Sequence, residues 1–329
     1  MSRDRFPLVG TLALGLTVIG FSMTGIWVRW LIALDPLAVT AGRVGVALLV
    51  LAPASWWLEP DRAAAWQALT SLRVHGLALC MTVFFTVAVA SFQLAPVSLV
   101  VLMVGLAPAW VLIFQRIAGQ SLDGRRVLGV GFALFGAAIA LLPSIRGATT
   151  GDEGAYGVAM GALGGLVAGF FNACFVYGRS RLAERGVRPG AFLLAAMTSF
   201  WGLGLFLVAP FTQLGALAPR TSFEVGSMLA LGVISTAAPL WGLGTSSRLL
   251  PPVVVAFVGP VLPFTAAVAA WVLLGEVPPL AFALGAPFVV AGIALVVWPR
   301  TVTIRESRST SSAIDRRKRT RWMSGLGDR

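Results

Sequence analysis

Charge is scarce in this chain. Only 12% of its 329 residues are charged and 57% are hydrophobic, whereas soluble domains carry roughly 25% charged residues. That make-up argues against a water-soluble globule. Histidine occurs once, as His75, and cysteine twice, as Cys80 and Cys174. Both thiols fall inside apolar runs, where cysteine behaves as a small hydrophobe, so neither a disulfide nor a metal site is expected. With one histidine and no Gly-x-Ser-x-Gly pattern, a nucleophile and its base cannot be assembled. The chain therefore reads as a non-enzyme that needs no cofactor. No Asp or Glu lies in the interior of any apolar run. A carboxylate is what holds a cation within hydrocarbon, so a dedicated polyamine or quaternary-ammonium antiporter is disfavoured and an anionic, zwitterionic or neutral solute fits better.

What the chain does have is long apolar runs, and about 20 such residues cross a hydrocarbon core about 30 Å thick. Ten spans are predicted, over 7–28, 35–57, 72–92, 96–115, 125–143, 155–177, 190–210, 225–246, 252–274 and 278–298. The first follows a basic head, as a signal peptide would. Its apolar body, however, continues to about Trp27 without a small-x-small cleavage site, so it reads as an uncleaved span. The formal net charge of +12 would suggest nucleic acid in a soluble protein, but here it sorts by loop. With the N-terminus in the cytoplasm, Arg3, Arg5, Arg62, Arg73, Arg116, Arg125, Arg126, Arg179, Arg181, Arg185, Arg188 and Arg248 fall inside, and only Arg29, Arg146 and Arg220 fall outside. This asymmetry predicts a multi-pass protein of the cell inner (plasma) membrane with both termini cytoplasmic, and no nucleic-acid partner.

Residues 117–143, IAGQSLDGRRVLGVGFALFGAAIALLP, return in altered form as 273–299, LLGEVPPLAFALGAPFVVAGIALVVWP. An offset of 156 superposes Gly119 on Gly275, Gly129 on Gly285, Phe132 on Phe288, Gly136 on Gly292 and Pro143 on Pro299, and it also matches Leu94, Pro96 and Val97 with Leu250, Pro252 and Val253. The chain therefore divides into a cytoplasmic N-terminus (1–6), a five-helix repeat (7–143), an external linker (144–154), a second five-helix repeat (155–299) and a basic tail (300–329). Five is odd, so the second copy is inverted. The uncharged SFQLAPV before span four lies outside, and its counterpart SSRLLPPV, carrying Arg248, lies inside. Inverted repeats are the architecture of secondary transporters, with substrate bound near the midplane. The predicted fold is thus an all-α polytopic membrane protein of two inverted five-helix repeats.

These features resemble the EamA family of the drug/metabolite transporter superfamily: ten spans in two halves, an arginine in the second, Leu-Gly-Glu at 274–276 followed by glycines at 285 and 292, and proline in spans four and nine. The resemblance covers about residues 7–299. It implies an exporter or permease for amino acids, other metabolites, nucleotide sugars or drugs. Gln120 stands in the first copy where the second has Glu276, although the family often has an acid in both. If the acid gates, the inner side works differently.

Within the spans, Arg43 is the single deep charge, about 12 Å along the axis from Asp35 at 1.5 Å per residue. Arginine at a helix centre costs about 2.5–3.5 kcal/mol on insertion scales, so it faces a cavity or a partner. Substrate binding and fold support both remain open for it. Its counterpart in the second repeat is Ala196. Pro239 frees backbone groups in the middle of span eight, among Ser235, Thr236, Trp241 and Thr245. Trp241 matches Phe85, which Thr82 and Thr86 flank, while Asn172 and Trp201 lie deep in spans six and seven. Aromatic walls with a few polar groups suit a small organic solute, and these residues are the candidate substrate site. Gln120 and Glu276 are candidates for gating or helix capping. Gly157, Gly161, Gly165 and Gly169, spaced by four, form a packing face. Trp30, Trp56, Trp57 and Trp298 belong to the interfacial belt.

The tail 300–329 is expected to be disordered. Its basic run 316–321 either contacts anionic lipid, at about 1 kcal/mol per basic residue, or is a solvated end. The reading is a secondary transporter, monomeric or a weak homodimer, working by alternating access around a central cavity. A lipid scramblase or channel-like facilitator is the alternative.

Overall fold

In a computed structural model of the chain, residues 5–58, 70–149, 153–185, 191–208, 218–250, 254–255 and 258–297 are described. Every regular element among them is helical, as bare hydrocarbon requires of a chain that must satisfy its own backbone. The helices are α1 (Arg5–Ser22), α2 (Thr24–Trp30), α3 (Pro36–Leu58), α4 (Leu72–Leu94), α5 (Val97–Val104), α6 (Ala107–Ile117), α7 (Gly124–Thr149), α8 (Glu153–Glu184), α9 (Ala191–Val208), α10 (Ser222–Gly232), α11 (Ala238–Leu249), α12 (Val258–Leu274) and α13 (Leu280–Val297), with a π-helical turn at Val233–Ala237 joining α10 to α11.

Eight segments are long and apolar enough to cross a membrane. They correspond to all the predicted spans except the seventh and ninth, where shorter apolar helices occur at Leu193–Leu207 and Val261–Leu274. The apolar surface of the bundle is extensive: Leu72 is 85% exposed and Leu207 79%, as lipid-facing side chains would be.

Three predicted spans are jointed rather than straight. Span one turns at Met23 between α1 and α2, and span four turns at Gly105 and Leu106, so that Pro108 falls in the first turn of α6, where its missing N–H costs nothing. Span eight contains the π turn. Two other helices outrun their predicted limits. Helix α8 has 32 residues, about 48 Å at 1.5 Å per residue, and carries Arg179 and Arg181 within it. Helix α7 continues through Pro143 to Thr149, so the described part of the supposed linker 144–154 is largely helical. The tail, Arg62 and Arg188, together with the side chains of Trp56, Trp57 and Arg248, lie outside what is described.

The closest helix pair is α7 with α13. A Cβ on Gly129 would come within 2.7 Å of the Gly292 carbonyl oxygen, one on Gly136 would land on the Gly285 carbonyl, and the converse substitutions meet the same partners' backbones. Pairing 129 with 292 and 136 with 285 makes the two helices antiparallel. Phe132 stacks on Phe288, its own counterpart at the 156 offset, with centroids 6.2 Å apart and planes 14° from parallel. Glycine is required here because the backbones themselves touch.

Other pairings also recur between segments matched in the sequence. Helix α4 packs on α8 as α11 packs on α1, and α5 on α8 as α12 on α1. Leu94 lies against Gly161 of α8, and its counterpart Leu250 against Gly10 of α1. Gly165 and Gly169 likewise face Val100, Met103 and Val104 of α5, whereas a Cβ on Gly157 would meet open space. Gly157 therefore stands apart from the packing face predicted for it: Leu94 and Ala95 already mark the end of α4, and one turn further along α8 there is no helix left to touch.

Gly119 and Gly275 are the two residues with positive φ among those described, at 78° and 67°. Each ends a helix. The Gln120 N–H donates to the Gln115 carbonyl at 3.0 Å and the Glu276 N–H to the Ala270 carbonyl at 3.3 Å, so the left-handed glycine lets the chain turn back over the last open carbonyls.

Candidate functional site

Four predicted site residues meet in the core. Arg43 is 2% exposed, and small residues allow that burial. Gly42 admits Met228 of α10, Gly202 admits Val44, and Gly232 admits Val46 and the Arg43 carbonyl. The guanidinium lies over the Phe85 ring of α4, with Cζ 4.2 Å from the centroid, a cation–π distance. Its Nε donates to Thr236 Oγ1 at 2.6 Å and its Nη2 to the Ser235 carbonyl at 3.0 Å.

Both acceptors come from the π turn, for a local reason. An α-helix would pair the Ser235 carbonyl with the N–H of residue 239, and Pro239 has none. The freed carbonyl is the one Arg43 takes. The Thr236 hydroxyl accepts from Arg43 and donates to the Leu231 carbonyl at 2.9 Å, stitching the wide turn. The Ser235 hydroxyl is buried and has no hydrogen-bond partner among the described residues.

The remaining candidates divide. Thr82 is buried and its hydroxyl lies 3.0 Å from both the Ala78 and the Thr198 carbonyls, tying α4 to α9. Thr86 donates to the Thr82 carbonyl at 3.1 Å. Trp201 donates its indole N–H to His75 Nδ1 at 3.1 Å, with the rings edge to face, a contact 126 positions apart that nothing local announces. Asn172 and Thr245 are half-buried. Trp241, the counterpart of the buried Phe85, is 40% exposed. None of these three is brought to Arg43.

A second polar group lies between α12 and α13. Glu276 Oε1 accepts the Val97 N–H at 2.9 Å, while Oε2 is buried without a partner. The acid thus caps α5 rather than the helix that follows it. Burial pushes its carboxyl above the usual range, with Arg29 and the Val97 N–H pulling the other way. Arg29 donates to the Gln93 carbonyl at 3.4 Å and Gln93 to the Leu34 carbonyl at 3.0 Å. Gln120, the matched residue, is exposed. Hydroxyl bridges unforeseen in the sequence join α1 to the second half: Ser22 pairs with Thr265 at 2.6 Å, and Thr17 donates to the Pro239 carbonyl at 3.3 Å. Their one sequence signal is a hydroxyl on a helix otherwise made of small and apolar residues.

Comparison with known proteins agrees with this architecture. A solved crystal structure of a protein, 19% identical, aligns over 90% of this chain and 98% of its own with a TM-score of 0.57, which establishes a shared fold. No curated protein matches. Residues 8–142 match the model of the EamA-like transporter family, so that segment is similar to it.

Proposed function

We propose that the protein is a secondary carrier that exports small organic metabolites, amino acids or drugs among them, by alternating access between two inverted halves of five helices. It works in the inner (plasma) membrane with both termini cytoplasmic. The observation that carries this reading is the α7–α13 crossing. Two helices that match in sequence, run antiparallel and touch through Gly129 with Gly292 and Gly136 with Gly285 are what a two-fold axis in the membrane plane demands. Near-equal halves make the inward-facing and outward-facing states near-equal in energy, and a carrier needs a gap of only a few kcal/mol between them.

Arg43, Phe85, Ser235 and Thr236 supply the polar and aromatic groups of the substrate site, between α3 and α4 of one half and the π turn of the other. Hydroxyl ties such as Thr82 to Thr198 hold the halves together at this level. Glu276 on Val97 closes the outer end, and Gln120 leaves the inner end without an equivalent acid.

Counterflow tests the reading. Proteoliposomes preloaded separately with unlabelled amino acids, nucleosides, nucleotide sugars or aromatic drugs should accumulate the labelled compound of one class, saturably. Flux that does not saturate and does not depend on the internal load would contradict a carrier.

A further inference from the structure

Among the described residues, the Arg43 guanidinium has no carboxylate partner. The Arg181–Glu184 ion pair lies elsewhere, on α8. A buried cation is costly unless an anion compensates it, yet the partners here are a hydroxyl, a carbonyl and a ring face. The two hydrogen bonds use Nε and Nη2. These form one edge of the guanidinium, with two parallel N–H groups, and that edge is the fork a carboxylate grips with both oxygens. Thr236 Oγ1 and the Ser235 carbonyl therefore stand where two carboxylate oxygens would sit. Independently, the Ser235 hydroxyl is 0% exposed and has no hydrogen-bond partner among the described residues.

We infer that Arg43 and Ser235 bind the carboxylate of an organic substrate, and that the π turn is the substrate-free form, in which Thr236 and the Ser235 carbonyl occupy the guanidinium until a carboxylate replaces them. This rests on the carrier reading and names its substrate class. The carboxylate brings a full negative charge to a cation that the neutral hydroxyl and carbonyl leave uncompensated, so it wins the exchange. Phe85 holds the guanidinium plane while it does so. Release of Thr236 and the Ser235 carbonyl replaces the direct bonds between α3 and the π turn by bonds through the carboxylate.

The test uses the full chain in proteoliposomes. Counterflow is compared for carboxylates and their carboxamides, aromatic and aliphatic, with and without an α-amino group: phenylacetate against phenylacetamide, phenylalanine against phenylalaninamide, and the leucine pair. At least one carboxylate should exchange at least tenfold better than its amide. Ser235→Ala removes no hydrogen bond of the substrate-free protein, so its melting temperature should match the parent, while half-saturation for that carboxylate rises about tenfold. Arg43→Lys keeps the charge and loses the fork, and should flatten the preference for carboxylate over amide. Equal exchange of acid and amide, or a Ser235→Ala variant with unchanged half-saturation, overturns the carboxylate site and leaves the carrier standing. No exchange of any compound, nucleosides and amides included, by folded protein overturns both.

Discussion

Replacing Gly136 by alanine tests the helix crossing on which the proposed two-fold arrangement rests. The new Cβ would land on the Gly285 carbonyl and come within 2.8 Å of Phe288 Cβ and the Val289 nitrogen. Two of these three neighbours are backbone, which no rotamer change can move. At the sister contact, Gly129→Ala would put a Cβ 2.7 Å from the Gly292 oxygen, and ordinary contact begins at 3.4 Å. The helices would have to part by about 0.7 Å along their whole contact, and overpacking of this kind costs about 1–3 kcal/mol. Gly131→Ala is the control: it lies on the same helix, and a Cβ there meets nothing within 4 Å, so its effect should stay within about 0.5 kcal/mol. Thermal unfolding of the purified protein in one detergent should show a clear loss for Gly136→Ala and Gly285→Ala. The pair together should cost less than the two single losses combined, because the first substitution already opens the gap the second needs. If Gly136→Ala melts with Gly131→Ala, the backbones do not touch there and the reasoning fails.

Three further substitutions probe other parts of the structure. Thr236→Val leaves Arg43 Nε buried without an acceptor and should cost about 1.5–3 kcal/mol, while Thr236→Ser keeps the hydroxyl and should recover most of it, both read by thermal unfolding. Gly275→Ala and Gly119→Ala meet no neighbour but force an L residue to φ 67° and 78°, so each should cost about 1–2 kcal/mol. For Glu276→Gln the sign follows from burial, which raises the folded carboxyl above its unfolded value. The native protein then binds more protons than the unfolded chain as pH rises from the ordinary carboxylate range, so its stability falls through that window. Glutamine keeps the acceptor for Val97 and removes the titration. Melting temperatures of parent and variant should therefore converge at acidic pH, with the variant the more stable near neutral pH; a gap that does not change with pH would refute this.

The parts of the structure legible in the sequence were those with local causes. Apolar runs announced helices, and Pro239 announced a freed carbonyl because a missing N–H is a covalent fact. Gly119 and Gly275 stood out because the repeat superposes them, and their left-handed backbone gives the reason. What the freed carbonyl does was not legible. It binds Arg43, 192 positions away, and the widening to a π turn is settled by that bond and by Thr236 reaching Leu231. Glu276 followed the same course: a local rule puts an acid on the helix it precedes, whereas the chain reversal at Gly275 carries this one to Val97, 179 positions away. Gly157 shared a spacing with Gly161 but not a neighbour, since spacing identifies a face and cannot say where the facing helix stops.

The most direct test of an inverted repeat compares two matched positions across the membrane. Ser121 and Val277 differ by the 156 offset, and both are exposed, beyond α6 and α12 respectively. With Cys80 and Cys174 replaced, each position is made cysteine in turn and intact cells are treated with a membrane-impermeant maleimide. Val277→Cys should label from outside, and Ser121→Cys only after the membrane is permeabilised. Labelling of both from the same side would contradict inversion, and with it the alternating-access carrier.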